Sequence, residues 1–376
     1  MQRLTLCSLL MLWITTSQIT AQSLQTDRHE LAVEPIANGL VHPWSLAFIS
    51  DQQLLITERP GRLLRLDLDQ GRRYEISGLP AIAASGQGGL LDIALHPEFD
   101  SNQLIYLSFS DQTQEGMTTR VIRARLKEDQ LEDLTDIFTA LPRSSRGFHF
   151  GSRLVFDAQG YLYISVGDRG EMQRAQDLSD HAGTVVRLHD DGRIPSDNPF
   201  VGQAEARDEI YTYGHRNPQG MIYWPERDEI WINEHGPRGG DKINRLIAGS
   251  NYGWPLVTYG THYDGRSITP HTQLPGIKPP LLDWTPSIAP SGLLRVTSTQ
   301  FPHWQDQLLN GALAGQRLVR VSVTESDQGD LLLVEEERML GSLGHRIRDV
   351  RQGPNGDLWL LTDAANGQLL RLRAAD

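Results

Sequence analysis

The chain has 376 residues, of which 39% are hydrophobic and 22% are charged, and its formal net charge at pH 7 is −12. An acidic chain without a basic cluster is a poor candidate for binding nucleic acid or anionic lipid. Its one cysteine, Cys7, lies near the N-terminus. If that stretch is removed, the mature protein has neither a disulfide nor a catalytic thiol.

The first 21 residues are typical of a secretory signal peptide. Arg3 supplies the positive start, an apolar run covers residues 4–14, and Ala21 is a small residue at the expected cleavage point. The run is too short to span a membrane and no stop-transfer segment follows, although an uncleaved anchor is the alternative. We therefore expect a periplasmic or secreted protein with no membrane span, consisting of a signal peptide over residues 1–21 and a single domain over residues 22–376.

Beyond this segment one unit recurs: a short apolar strand, a turn containing Asp, Asn, Pro or Gly, and further strands. The copies start roughly 45 to 70 residues apart, which is the range of a four-stranded propeller blade with its loops. The pattern predicts an all-β, six-bladed β-propeller, in which a strand near residues 32–36 completes the last blade and closes the ring. A sandwich of two sheets is the alternative. In chain order the six units begin at Trp44, Leu91, Arg153, Gln219, Ser291 and Ile347.

Polar residues stand just before the innermost strands of several predicted blades. In a propeller these positions converge at the mouth of the central channel, although they are far apart in sequence. Arginine pairs with carboxylates and histidine can act as a general base, so the set suits a planar, polyanionic ligand. Each residue also has a structural interpretation, since such side chains often tie neighbouring blades together. The residues are Gln87, His149, Arg216, Asn217, Arg346 and Arg348.

Six short segments carry a more specific signal through their order and spacing. They resemble the soluble glucose dehydrogenases and aldose sugar dehydrogenases, a family whose cofactor is pyrroloquinoline quinone (PQQ). The resemblance extends from His42 to Asp349. It implies a PQQ- and calcium-dependent enzyme that oxidises the C1 hydroxyl of aldoses to lactones by hydride transfer to the quinone. The segments are residues 86–91, 149–154, 191–200, 214–220, 234–237 and 251–255.

The resemblance also implies a role for each polar residue at the channel mouth. His149 matches the general base that takes the proton from the anomeric hydroxyl beside the cofactor. Arg216 matches the residue beside the quinone oxygens, where a positive charge stabilises the developing oxyanion. The other matches are to side chains that contact the cofactor or hold its carboxylates, namely Gln87, Asn217, Arg346 and Arg348.

Two calcium sites follow from the same resemblance. Gly236 and Pro237 match positions whose backbone carbonyls hold the calcium that contacts the cofactor. Calcium suits this role because it takes oxygen ligands in flexible geometry and polarises the quinone. In relatives a second, structural calcium uses an acidic residue where this chain has Lys242. We therefore expect that second site, which includes the carbonyl of Tyr252, to be empty or altered.

Two further departures affect the expected cofactor site. Ala314 stands where the family often has a lysine that contacts PQQ, and Phe148 stands where a polar residue often precedes the histidine.

The long insertion of the calcium-dependent dimeric glucose dehydrogenases is absent, which favours a monomer. The sequence does not identify the electron acceptor, which is expected to be a quinone or a cytochrome. The alternatives are a calcium-dependent six-bladed lactonase or esterase, and a non-catalytic propeller that serves as a binding module.

Overall fold

A computed structural model describes residues 22–375, which form six antiparallel sheets arranged as the predicted six-bladed propeller. The predicted signal peptide over residues 1–21 lies outside the described residues. Within residues 22–375, no helix combines the length and the apolar character needed to cross a membrane. Helical structure in this part is limited to α1 (Phe99–Asn102) and the 3-10 turns Met172–Gln176, Pro302–Trp304 and Gly341–Leu343.

The first two strands of the described chain belong to the same sheet as the last three. They are β1 (Gln22–Gln25) and β2 (Glu30–Leu40). Blade one consists of β3 (Pro43–Ser50), β4 (Gln53–Glu58), β5 (Arg62–Asp67) and β6 (Arg72–Ile76). Blade two consists of β7 (Leu90–Leu95), β8 (Leu104–Thr113), β9 (Gly116–Lys127) and β10 (Gln130–Thr139). Blade three consists of β11 (Leu154–Phe156), β12 (Leu162–Val166), β13 (Thr184–Leu188) and β14 (Ile210–Tyr213).

The second half of the chain builds the other three blades. Blade four consists of β15 (Pro218–Trp224), β16 (Glu229–Glu234), β17 (Asp241–Arg245) and β18 (Leu282–Trp284). Blade five consists of β19 (Pro290–Arg295), β20 (Leu308–Ala312), β21 (Arg317–Glu325) and β22 (Leu331–Met339). Blade six consists of β2 with β23 (Ile347–Gln352), β24 (Leu358–Thr362) and β25 (Gly367–Ala374). The first strands of neighbouring blades contact one another around the ring, so they surround the channel.

The ring is closed by the N-terminal strand, as the sequence predicts. Strand β2 pairs antiparallel with β25, and Val33 lies opposite Leu372. This pairing uses a strand from each end of the chain to complete one blade, which leaves no gap in the ring. The blades pack face to face through their apolar side chains; at the closure, Leu46 of blade one belongs to the same buried cluster as Leu361 of blade six.

Local sequence explains the hairpin that follows His149. The carboxylate of Asp157 accepts the backbone N–H groups of Gln159 and Tyr161 at 3.0 and 2.8 Å, which caps the turn between β11 and β12. Gly160 completes the turn with a φ of 81°, a conformation that favours glycine. The turn therefore sends the chain into β12, whose residues are all buried.

A network of buried charges crosses the channel between its two ends. Asp92 Oδ1 accepts hydrogen bonds from Arg153 Nη1 at 3.0 Å and from Ser45 Oγ at 2.6 Å. Arg153 Nη1 also lies 3.3 Å from Asp349 Oδ1, and Arg351 Nε donates to Asp349 Oδ2 at 2.9 Å. Asp92 is 0% exposed and Arg153 is 1% exposed. These residues come from blades one, two, three and six, so the network ties the innermost strands together.

We expect Asp92→Asn to destabilise the fold, because it keeps the side-chain volume but leaves Arg153 and Arg351 short of negative charge. Removing one partner of a buried ion pair costs about 3–5 kcal/mol. The free energy of unfolding, measured by urea denaturation, should fall by about 3 kcal/mol. The matched control is Asp264→Asn, which affects an exposed pair with Arg266 and should leave the free energy of unfolding nearly unchanged. Equal effects of the two substitutions would contradict a stabilising role for the network.

Candidate active site

One end of the channel opens into a cavity of about 320 Å³, here called the entrance cavity. It lies at the end where the innermost strands begin, because residues just before β7, β15 and β23 line it. Polar residues expected at the mouth from blades two, four and six are therefore brought together. The polar wall includes Gln87, Asn217, Gln219, Arg346, Arg348 and Asp363.

His149 lies beside this cavity and is held by two hydrogen bonds. Its backbone N–H donates to Oε1 of Gln87 at 2.9 Å, which connects it to the cavity wall. Its Nδ1 lies 2.7 Å from Oδ1 of Asp168. Because an ionised carboxylate only accepts hydrogen bonds, Nδ1 carries the proton and Nε2 is left as the nitrogen that can accept one.

Close backbone approach brings Asp168 to His149. Asp168 follows β12, and His149 precedes β11. These two strands are paired neighbours in blade three. A Cβ on Gly167 would lie 2.2 Å from the carbonyl oxygen of His149, so only glycine fits at that position. Asp168 is then fixed by its own contacts, since Oδ1 also accepts the backbone N–H of Gly170 at 2.6 Å.

The surroundings of His149 favour its neutral form. Burial lowers the pKa of His149 below its ordinary value of 6.5, and the nearby Arg216 lowers it further, while Asp168 opposes both effects. Burial disfavours a charged carboxylate, but His149 and Arg216 hold the pKa of Asp168 below its ordinary value. The pair is therefore an ionised carboxylate and a neutral imidazole, which is the state a general base requires.

Trp254 connects this pair to Arg216. Its indole Nε1 donates to Oδ2 of Asp168 at 2.7 Å, and the guanidinium of Arg216 lies 5.5 Å from the centre of its ring. The backbone N–H of Asp168 also donates to the carbonyl oxygen of Arg216 at 2.8 Å. The structure therefore places the predicted base and the predicted cation next to each other, although they come from different blades.

Arg216 and Asn217 are fixed by buried partners. The backbone N–H of Arg216 donates to Oε2 of Glu234 at 2.8 Å, and its Nη1 donates to the carbonyl oxygen of Gly236 at 2.7 Å. Oδ1 of Asn217 accepts the backbone N–H of Gly151 at 3.1 Å. These contacts fix both side chains at the start of blade four, where Asn217 lines the entrance cavity and Arg216 lies behind its wall.

Arg346 and Arg348 share one carboxylate on the cavity wall. Arg348 Nη2 lies 3.0 Å and Arg346 Nη2 lies 3.5 Å from Oδ2 of Asp363, whose other oxygen accepts from Nδ1 of His42 at 3.0 Å. Burial opposes ionisation of Asp363, but Arg348 and His42 hold its pKa well below the usual range. Nε of Arg348 is buried and has no hydrogen-bond partner among residues 22–375. The two guanidinium groups therefore keep donors that a bound carboxylate could use.

The two carbonyl groups predicted to hold calcium border a second opening of about 580 Å³, here called the side cleft. The side cleft adjoins the entrance cavity, since His235 lines both. The carbonyl oxygen of Gly236 accepts from Arg216, and that of Pro237 accepts from Ser287 Oγ at 3.2 Å. Carbonyl oxygens of adjacent residues are ligands that calcium takes, so these two could hold the expected ion if it displaced the hydrogen bonds that they now accept.

The place of the second expected calcium does not fit a metal ion. Lys242 is 6% exposed, and its Nζ lies 4.0 Å from Oε1 of the buried Glu234. The same oxygen of Glu234 accepts from Nδ2 of Asn244 at 2.8 Å. Tyr252 lines a small enclosed space with Lys242. An ammonium group next to that carboxylate repels a cation. We therefore interpret the second calcium site as altered in this chain.

Several side chains of the site were not singled out from the sequence. They share one property: each either directly follows the second strand of a blade or is separated from it by one residue. In an antiparallel hairpin the end of the second strand lies beside the start of the first, so these residues reach the same mouth as the predicted ones. Asking which polar residues follow those strands would have found Arg59, Asp168, His235 and Asp363.

Comparison with known proteins agrees with this geometry. Residues 40–371 match the family described as glucose/sorbosone dehydrogenase. The chain belongs to this family. It is 44% identical to the aldose sugar dehydrogenase of Escherichia coli over 347 residues, which cover 90% of this chain and 92% of that protein. The family predicted from the motifs, the propeller fold and the dehydrogenase class are therefore confirmed.

Solved structures of dehydrogenases from this family share the fold. The apo form of the soluble aldose sugar dehydrogenase from Escherichia coli superposes with a TM-score of 0.88 at 42% identity, covering 92% of this chain and all of the other. A PQQ-bound form of an aldose sugar dehydrogenase from Streptomyces coelicolor gives a TM-score of 0.73 at 26% identity, covering 91% of this chain and 98% of the other. Both similarities extend over the whole propeller.

We expect His149 to titrate below pH 6.5, and Asp168→Asn to lower its pKa further, because the carboxylate favours the protonated ring. The measurement is a pH titration of the imidazole nitrogen shifts by NMR. Asp100→Asn, at an exposed position in α1, is the matched control and should leave the titration of His149 unchanged. A rise of the pKa in Asp168→Asn would contradict the assigned hydrogen bond.

Proposed function

We propose that this protein is a PQQ- and calcium-dependent dehydrogenase that oxidises the C1 hydroxyl of aldoses to lactones. The observation that carries the proposal is the hydrogen-bonded pair of His149 and Asp168, joined through Trp254 to Arg216 beside an arginine-lined cavity. Membership of the glucose/sorbosone dehydrogenase family and the PQQ-bound relative support it.

The residues around the entrance cavity suit an anionic, planar cofactor. Arg346 and Arg348 have the fork of donors that pairs with carboxylates, and Asn217 and Gln87 offer amide groups beside them. The carbonyl oxygens at positions 236–237 would hold the calcium. When bound, PQQ supplies the quinone that accepts the hydride, and calcium polarises that quinone.

His149 and Arg216 would act on the sugar. Nε2 of His149 accepts the proton of the C1 hydroxyl, and a hydride leaves C1, so the aldose is oxidised to a lactone. Asp168 keeps the imidazole in the tautomer that has this free nitrogen, and it stabilises the ring once it is protonated. Arg216 provides a fixed positive charge where negative charge develops in the transition state.

The alternative functions are less well supported. A lactonase or esterase of this architecture needs a calcium held by side-chain carboxylates, whereas residues 22–375 contain no cluster of three or more His, Cys, Asp or Glu side chains that could hold a metal. Asp363 is the one carboxylate among the side chains of the entrance cavity, and arginines already pair with it. A non-catalytic binding module would not require the oriented pair of His149 and Asp168.

The setting of the reaction is also a proposal. The character of residues 1–21 supports a periplasmic or secreted enzyme. The absence of the long insertion supports a monomer. Reoxidation of the reduced cofactor requires an external electron acceptor, and we propose a quinone or a cytochrome.

We expect purified apo-protein, reconstituted with PQQ and excess calcium, to reduce a redox dye when an aldose is added. Chelation of calcium should abolish this activity, and renewed addition of calcium should restore it. The measurement is dye reduction with a panel of aldoses. Absence of sugar-dependent reduction at saturating PQQ would contradict the proposed function.

We expect His149→Gln to lower kcat by a factor of about 100 or more, because a general base contributes about 10²–10⁴-fold. Binding of PQQ should stay within about twofold of the unmodified protein, because glutamine keeps the backbone contact to Gln87 and a polar side chain. The control is His303→Gln, at an exposed position, which should leave both quantities unchanged. Near-normal turnover in His149→Gln would rule out its role as the base.

A further inference from the structure

A third arginine faces the entrance cavity. Arg59 directly follows β4 and lines the cavity together with Arg346 and Arg348. Its backbone N–H donates to the carbonyl oxygen of His42 at 3.0 Å, and its own carbonyl accepts the backbone N–H of Leu90 at 3.0 Å. The main chain at Arg59 is therefore fixed between blade one and the start of blade two.

The guanidinium of Arg59 is held over the glycine-rich loop before β7. Its Nη1 donates to the carbonyl oxygen of Gly86, the residue before Gln87. A Cβ on Gly89 would lie 1.9 Å from the carbonyl oxygen of Arg59, so the loop passes close against this residue because it has glycine there. The contact to Gly86 uses one nitrogen of the fork and leaves the other N–H groups available.

Arg59 has no counter-ion of its own. Among residues 22–375, no carboxylate oxygen lies within the 4.0 Å limit of an ion pair with its guanidinium, whereas Arg346 and Arg348 share Asp363. The charged side chains that line the cavity are these three arginines and Asp363, which gives a net charge of +2. The cavity therefore has more positive charge than its one carboxylate neutralises. Arg59 carries a positive charge that no carboxylate in the described part of the chain pairs with.

We propose that Arg59 is a cofactor-binding residue whose guanidinium pairs with a carboxylate of the anionic cofactor. This inference rests on the proposed function. Arginine forms paired, charge-assisted hydrogen bonds with planar carboxylates, and half-buried Arg59 is positioned for them by Gly86. It adds a cationic contact on the wall of the entrance cavity, whereas Ala314, which stands where relatives often have a lysine, lines the adjoining side cleft.

The test measures binding of PQQ to apo-protein in the presence of calcium, by quenching of tryptophan fluorescence. Arg59→Gln should raise the Kd by about tenfold or more, as expected for the loss of a hydrogen-bonded charge. Arg193→Gln is the control, because Arg193 is exposed and pairs with Asp191, and it should leave the Kd unchanged. Arg59→Lys, which keeps the positive charge but not the fork of donors, should lose less affinity than Arg59→Gln.

Each outcome distinguishes the inference from the function on which it rests. Unchanged Kd in Arg59→Gln, with normal binding by the unmodified protein, would overturn the role of Arg59 and leave the proposed function standing. No PQQ binding by the unmodified protein would overturn both. The thermal midpoint of the apo-protein tests a structural role. If Arg59→Gln and Arg59→Lys lower this midpoint equally and weaken PQQ binding equally, Arg59 belongs to the fold and the inference is overturned.

Discussion

The charge network across the channel is the constraint on which the rest of the structure depends. Asp92, Arg153 and Asp349 are almost completely buried, and each would be costly without its partners. Because the three residues come from blades two, three and six, their ion pairs can form only when the innermost strands have their native register. At the entrance cavity, Arg348 Nη1 donates to Oε1 of Gln219 at 3.3 Å, so blades six and four are also tied together by a polar contact on the cavity wall.

The charges of the site are divided between two kinds of residue. The arginines supply the permanent positive charge, while burial favours the neutral forms of His149 and His235. Burial lowers the pKa of His235 to about 3, and its Nε2 donates to the carbonyl oxygen of Pro290 at 2.7 Å. Burial and Arg216 likewise favour neutral His149. A neutral base can therefore lie next to fixed cations, and the cations discourage its premature protonation.

The sequence predicted the blades and those site residues that lie at the starts of the innermost strands, because both are visible in the local repeat. Apolar strands and their turns repeat locally, and the start of each innermost strand, such as the one after His149, is visible in that repeat. The exits of the second strands were missed because they were not examined as a class, which left out Asp168 and Asp363. Trp254 is different, since its bond to Asp168 joins residues 86 positions apart and no local pattern encodes it.

Two departures of this chain from its family act on His149 and Arg216 through contacts within the protein. The ring of Phe148 lies edge-on to His149 with the ring centres 5.0 Å apart, and an apolar neighbour adds to the desolvation that keeps the imidazole neutral. Lys242 acts through Glu234: burial opposes ionisation of this carboxyl group, but Lys242 and His215 hold its pKa at about 2. Glu234 thereby stays an acceptor for the backbone N–H of Arg216, and the position of that cation depends on an ammonium group that belongs to the chain itself.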